Sequence, residues 1–150
     1  MQAQGQLAEA RAAFAETLAI IRRLAEADPS NAGWQKDLAV AHSSIGDVLQ
    51  AQGQLAEARA VFAETLAISR RLVEVDPSNA SWQWDLAVAH SRIGDVSQAQ
   101  GQLAEARAAF EESLVIIRRL AEADPSNASW QRDLVVAHNR VSNVESLLKS

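Results

Sequence analysis

The sequence contains no cysteine and no tyrosine, and only 3 proline and 6 glycine residues occur among its 150 positions. Without cysteine there is no disulfide scaffold, no thiolate zinc site, no iron–sulfur cluster and no cysteine nucleophile. The scarcity of proline and glycine, together with 30 alanine residues, favours helix over strand along the whole chain. The composition therefore predicts an all-α protein.

Basic charge and long apolar runs are also scarce. The 14 lysine and arginine residues are outnumbered by 19 acidic residues, which gives a net charge of −5. Because phosphate neutralisation needs a basic surface, we predict no nucleic-acid partner. No stretch approaches the ~20 apolar residues of a membrane-spanning helix, and the N-terminus lacks the charged-then-apolar pattern of a signal peptide. We therefore expect a soluble, cytoplasmic chain without a membrane partner.

Four residue types recur at an interval of 48 positions, so the chain consists of three copies of one unit. We predict a single tandem-repeat domain over residues 1–150, with units at approximately 3–50, 51–98 and 99–146. Such arrays are modular, because each unit packs mainly on its neighbours. The recurring residues are Gly5, Gly53 and Gly101; Pro29, Pro77 and Pro125; Trp34, Trp82 and Trp130; and His42, His90 and His138.

Two kinds of break divide each unit into two helices. The segment Asp-Pro-Ser-Asn at 28–31 recurs at 76–79 and 124–127, where the proline stops one helix and the serine or asparagine can cap the next. Gly53 and Gly101 supply the other break, since glycine readily adopts the left-handed turn that follows a helix. Helix A is predicted over 31–52 and helix B over 54–76. The six helices follow the order B-A-B-A-B-A.

A helix-pair signature stands out within this frame. Gly46, Ala58 and Phe62 are separated by 12 and 4 positions, and Gly-Gln-Leu-Ala-Glu-Ala spans the turn at 53–58. This pattern resembles the tetratricopeptide repeat. A standard unit of that family has 34 residues, so the 48-residue unit is a lengthened form. The resemblance implies an α-solenoid of antiparallel helix pairs; armadillo or HEAT-type repeats are the structural alternative.

The three histidines are candidates for a metal site. They occupy equivalent places on successive helices A, and packed helices lie about 8–10 Å apart, whereas ligands of one metal ion each approach within about 2 Å. We therefore predict no metal site. The sequence has no glycine-rich phosphate loop, no HExxH and no GxSxG. We expect no catalytic activity and no cofactor.

The family resemblance implies that the helices A line a concave groove for a ligand. Extending the groove positions by one step along the lengthened helix reaches the most divergent position of the unit, which holds lysine, tryptophan and arginine in the three copies. Because tryptophan and arginine dominate the energetics of many interfaces, Trp84 is the predicted hot spot; the alternative is that its ring only packs over Val88 or Lys36. The predicted groove residues are Lys36, Val40, Ser43, Asp47, Gln50, Trp84, Val88, Ser91, Asp95, Gln98, Arg132 and Asn139.

Two hypotheses on function follow. In the first, the chain is a non-catalytic scaffold that binds a peptide or a protein domain in the groove. In the second, it self-assembles as a dimer or end to end. The second arises because Leu7, Phe14 and Ile21, on a helix B without a preceding helix A, would be partly uncovered. In the last helix A, Ser142 and Asn143 replace the glycine and aspartate of the other two units, and Glu145 stands at the position of Leu49, which indicates a partial cap.

Overall fold

The computed structural model describes the backbone of residues 2–150 and the side chains from residue 5 onward. It consists of six α-helices joined by short turns, with no strand among those residues. The predicted all-α class and the order of alternating B and A helices are confirmed. The helices are α1 (Gln2–Ala27), α2 (Ala32–Ala51), α3 (Leu55–Val75), α4 (Ala80–Ala99), α5 (Leu103–Ala123) and α6 (Ala128–Leu148).

The predicted breaks form the turns between the helices. Asn31 caps α2 by accepting a hydrogen bond from the backbone of Trp34 at 3.1 Å, and Asn79 and Asn127 do the same for α4 and α6. This bond satisfies one of the donors that every helix N-terminus leaves unpaired. Gly53 and Gly101 have φ angles of 78° and 79°, in the left-handed region that favours glycine.

The chain divides into two compact units, the first ending at Leu72 and the second running from Val73 to Ser150. In the first unit α1 packs against α2, and α3 packs against α2 through Phe62. In the second unit α5 contacts both α4 and α6. Its core is a cluster of Ala106, Phe110, Leu114, Ala137, Val141 and Val144. The single domain over 1–150 stays a prediction.

A glycine and a phenylalanine form the same close contact in each unit. Phe62 of α3 lies against Gly46 of α2, and Phe110 of α5 lies against Gly94 of α4; both rings are buried, with 0% and 1% exposed. A Cβ added at Gly46 would lie 2.8 Å from two atoms of the Phe62 ring, and one at Gly94 would lie 2.7 Å from Cδ1 of Phe110. These distances are shorter than carbon atoms tolerate. Each phenylalanine therefore requires a glycine on the helix that precedes it.

Candidate functional site

The second unit contains a cavity of about 410 Å³ between α4 and α6. Two side chains of α5, Ser113 and Ile117, are buried and lie at its base. The lining combines apolar, hydroxyl and charged groups of both signs, as in many protein binding sites. The walls are formed by Trp84, Ala87, Val88, Ser91, Arg92 and Asp95 of α4 and by Asp133, Val136, Ala137 and Arg140 of α6.

Trp84 is the largest side chain at the cavity. It is 39% exposed, and its Nε1 donates a hydrogen bond to Oδ2 of Asp133 at 3.0 Å. The bond joins α4 to α6 and orients the indole at the edge of the cavity. A large apolar surface is thereby available to a ligand while its one polar atom is already satisfied.

An ion pair also joins the cavity walls. Nη1 of Arg140 donates to both carboxylate oxygens of Asp95, at 3.1 and 3.2 Å. The Arg140 guanidinium also lies over the ring of Phe110, 5.6 Å from its centroid, within the range of a cation–π contact. Burial raises the pKa of Asp95, against the smaller opposing effects of Arg140 and Arg92. The carboxylate is therefore incompletely compensated, and a cationic ligand group would improve its surroundings.

The base of the cavity is polar at one point. Ser91 of α4 and Ser113 of α5 share a hydrogen bond of 2.9 Å between their hydroxyl oxygens, and Ser113 is buried. Val88, Ile117 and Val136 supply apolar surface beside it. An exposed indole, apolar surface beside a hydroxyl pair and the carboxylate of Asp95 suit the binding of an amphipathic chain.

Four of the predicted groove residues lie together at this cavity: Trp84, Val88, Ser91 and Asp95. They follow one another along a single face of α4, as the helical spacing predicts. Gln98, on the same face, is partly buried and lies outside the lining.

On α6 the lining is displaced from the predicted residues. Arg132 and Asn139 are exposed and lie outside the cavity, whereas Asp133 and Arg140, one position further along, face it. The reason is geometric. The helices α4 and α6 form different walls of the cavity, so equivalent positions on the two helices do not point into the same space. Arg132 and Asn139 therefore do not line this cavity, and their role in binding stays a prediction.

The remaining predicted groove residues lie on α2 in the first unit. Their spacing places them on one face of that helix. Val40 is exposed, and the other four are partly buried. These residues are Lys36, Val40, Ser43, Asp47 and Gln50.

Sequence reasoning missed the groups that pair across the cavity. Asp133 lies 49 positions after its partner Trp84, and Arg140 lies 45 positions after Asp95. Both separations are close to the 48-residue repeat. A search of the sequence for complementary residues about 48 positions apart would therefore have found both pairs. Ser113 carries a similar signal, because the equivalent positions hold Thr17 and Thr65.

The histidines have different surroundings. His42 is buried, and its Nε2 lies 3.1 Å from Oε2 of Glu64 on α3, which Arg22 of α1 approaches to 3.9 Å. Burial lowers the pKa of His42; Glu64 acts in the opposite direction, and Arg22 adds to the lowering. His138 is exposed. Within the described part of the chain, no group of three or more potential metal ligands occurs.

The residues predicted for self-association lie on α1. Leu7, Phe14 and Ile21 are all partly buried. The same helix also exposes Ile20 and Leu24, which sequence reasoning did not single out. Their counterparts on α3 and α5 are buried, which a comparison of equivalent positions makes plain.

Helix pairs with capped starts, glycine turns and a repeated glycine–phenylalanine contact define an all-α helical-repeat protein. Two family models of the tetratricopeptide repeat match the sequence, one over residues 37–100 and the other over residues 1–30 and 85–126. Together they cover most of the chain, which belongs to the tetratricopeptide repeat family. No curated protein matches it.

Tetratricopeptide repeats are generally protein–protein interaction modules and typically act as non-catalytic scaffolds. Their partners are proteins or peptides. Over the residues that the structure describes, no helix combines the length and the hydropathy needed to cross a bilayer.

Proposed function

We propose that the chain is a non-catalytic scaffold that binds a peptide or a segment of another protein in the cavity between α4 and α6. The observation that carries the proposal is Trp84, an exposed indole fixed by Asp133 at the edge of that cavity. Holding the ring in place before binding lowers the entropy that a ligand must overcome. The proposed ligand lays an apolar residue against the indole and a cationic residue near Asp95.

The experiment is a selection of peptides from a random display library on the wild-type protein. The selected peptides are then measured by fluorescence anisotropy against two variants. Trp84→Ala should weaken binding by about thirtyfold or more, which corresponds to a hot spot of at least about 2 kcal/mol. Arg119→Ala is the matched control, because it changes an exposed arginine on α5 outside the cavity, and it should bind as the wild type does.

Thermal unfolding separates binding from folding in this test. We expect Trp84→Ala to melt within a few degrees of the wild type, because the indole is only partly buried. If that variant unfolds, Asp95→Asn tests the same cavity through its charge. Peptides that bind Trp84→Ala and Asp95→Asn as tightly as the wild type would refute the assignment of the site.

The other predicted groove residues form a second proposed contact surface, on α2. Alanine substitutions at Lys36 and Val40 test it with the same peptides. If these variants bind the peptides as tightly as the wild type does, the site is limited to the second compact unit, residues 73–150. The set still proposed from the sequence is completed by Ser43, Asp47 and Gln50 of α2, Gln98 of α4, and Arg132 and Asn139 of α6.

Self-assembly is the alternative function, and the apolar surface that α1 exposes at Ile20 and Leu24 favours it. Two copies that cover each other's α1 would form a closed dimer, in which the same patch is used twice. Light scattering after size exclusion, over a hundredfold range of concentration, tests this idea. A mass that stays at 16.2 kDa would eliminate it, whereas a larger mass abolished by polar residues at positions 7 and 14 would support it.

A further inference from the structure

A second, smaller cavity of about 350 Å³ lies between the N-terminal turns of α4 and α6. Each helix contributes one indole to it, and the residues beside the two rings are small. Two tryptophans that border open space suit a ligand group that stacks on aromatic rings. The lining is formed by Ala80, Ser81 and Trp84 of α4 and by Ser129, Trp130 and Asp133 of α6.

The electrostatics of the smaller cavity favour a cation. Among the described residues that line it, only Asp133 carries a charge. Its Oδ2 accepts the 3.0 Å hydrogen bond from Nε1 of Trp84, a neutral donor that leaves the negative charge in place. The face of an indole is also negative, because of its π electrons, and attracts cations. The carboxylate and the two rings therefore attract the same kind of group.

A comparison of the repeat units points the same way. The other two copies hold basic residues at the position of Trp84, namely Lys36 and Arg132, whereas the aspartate that follows is present in all three copies. The middle copy thus has an aromatic surface where the others have a positive charge. Next to Asp133 the second unit places an indole N–H and not a basic side chain of α4. A ligand can supply the positive charge there.

We propose that the smaller cavity binds an arginine side chain of a peptide partner. A guanidinium is planar, so it can stack on an indole while its N–H groups donate to a carboxylate. Here it lies against Trp84 and Trp130 and donates to Asp133, and the exposed hydroxyls of Ser81 and Ser129 accept from its remaining N–H groups. A lysine ammonium is more strongly hydrated and cannot stack in this way, so it binds less tightly.

The inference deepens the proposed function and rests on it for the source of the arginine, which is the bound peptide. Trp84 lines both cavities, so the peptide passes from one to the other at this residue. From Trp84 to Asp95 the axis of α4 rises about 16 Å, which an extended peptide covers in about five residues. The ligand therefore has an arginine at the smaller cavity and a second cation, about five residues away, near Asp95.

The probe is the tripeptide Gly-Arg-Gly with both ends blocked, titrated into the ¹⁵N-labelled full chain. The indole N–H signals of the four tryptophans, assigned by single Trp→Phe variants, report the binding. We expect saturable shifts at Trp84 and Trp130 and much smaller ones at Trp34 and Trp82. The matched probe carries citrulline, which keeps the shape of arginine without its charge, and should bind at least tenfold more weakly. A lysine tripeptide should bind at least threefold more weakly.

Variants of the chain test the carboxylate. Asp133→Asn removes the charge but keeps an acceptor for the Trp84 indole, so the ring stays in place and arginine binding should fall at least tenfold. Glu112→Gln is the matched control, because it removes the same charge at an exposed residue of α5 outside both cavities, and it should bind as the wild type does. Far-UV circular dichroism checks the fold. If Asp133→Asn is unfolded, Trp84→Ala takes its place with the same expected loss.

Four results would overturn the proposal: no saturable shift, equal binding of the citrulline or lysine probe, full binding to Asp133→Asn, or an equal loss in Glu112→Gln. The last would show attraction to the overall negative charge alone. Failure of the tripeptide, with selected peptides still dependent on Trp84, would refute the arginine site and leave the proposed function standing. Tripeptide binding as expected, with no peptide selected from the library, would support the arginine site and count against the proposed function.

Discussion

The helices α1 and α5 occupy the same place in the repeat, yet their apolar residues have different surroundings. Ile116 and Leu120 of α5 are 8% and 7% exposed, whereas Ile20 and Leu24 of α1 are 58% and 38% exposed. The side chains are identical at both pairs of positions. The difference comes from α5 having contacts with both α4 and α6. In a repeat array a residue is therefore a core residue only if a neighbouring helix covers it, and stability depends on the interfaces between helices.

The largest test of this comparison is the pair Phe110→Ala and Phe14→Ala. Removing the buried ring of Phe110 leaves a cavity and should cost about 3–5 kcal/mol of unfolding free energy. Removing the partly exposed Phe14 should cost no more than about 1.5 kcal/mol, because less apolar surface returns to water. Urea unfolding of both variants, followed by circular dichroism, measures the difference. Equal losses would show that α1 is covered as fully as α5.

A smaller effect is expected at the glycine that meets the Phe110 ring, compared with the serine at the equivalent position of α6. Gly94→Ala adds a Cβ against Phe110 and should destabilise the second unit by about 1–3 kcal/mol, a loss reduced by about 1 kcal/mol through the better helix propensity of alanine. Ser142→Ala, at the equivalent exposed position of α6, should change stability by less than about 0.5 kcal/mol. The melting temperatures of the two variants provide the measurement. A neutral Gly94→Ala would mean that Phe110 moves aside without cost.

The helix caps give the next prediction. Asn127 accepts a hydrogen bond from the backbone of Trp130 at the start of α6, so Asn127→Ala should cost about 1 kcal/mol. Gln102, at the start of α5, makes no such side-chain cap bond, and Gln102→Ala should cost less than about 0.5 kcal/mol. The urea concentrations at the midpoints of unfolding, compared at a common m value, distinguish the two variants. If Gln102→Ala cost more stability than Asn127→Ala, the side chain of Gln102 would act as a cap, against the geometry described here.

The smallest expected effect is a dependence of stability on pH. Burial lowers the pKa of His42 below its ordinary value of 6.5, so below that pH the unfolded chain binds more protons than the folded one. The free energy of unfolding should therefore fall as the pH drops from 7.5 through 6.5, and the loss should end below the folded pKa. His42→Gln should reduce this dependence of the unfolding free energy on pH. His138→Gln, at an exposed position, serves as the control and should leave it unchanged.

Much of the fold is predictable from the sequence because its determinants are local. Proline, capping asparagine and the two left-handed glycines each act within a few residues, so the number and order of the helices follow from their positions. The stripe of Trp84, Val88, Ser91 and Asp95 is also local, since it needs only the helical period.

The rest of the candidate site depends on how one helix is turned relative to another. The bonds from Trp84 to Asp133 and from Arg140 to Asp95 join different helices. Whether Asp133 or Arg132 faces the cavity also depends on how α6 is turned. Helical periodicity defines a face but not the direction in which that face points after packing. The exposure of Ile20 has the same origin, because it depends on a neighbour and not on the residue.

The contact between glycine and phenylalanine also limits how such an array can be lengthened. A unit that ends in a helix with Gly94 accepts another phenylalanine-bearing helix directly after it. A unit that ends in a helix with Ser142 presents a side chain where the next ring must lie. Tandem copying of residues 51–98 therefore produces a new junction that packs, whereas copying of residues 99–146 produces one that must first regain a glycine. An engineer who extends this protein should duplicate its middle unit.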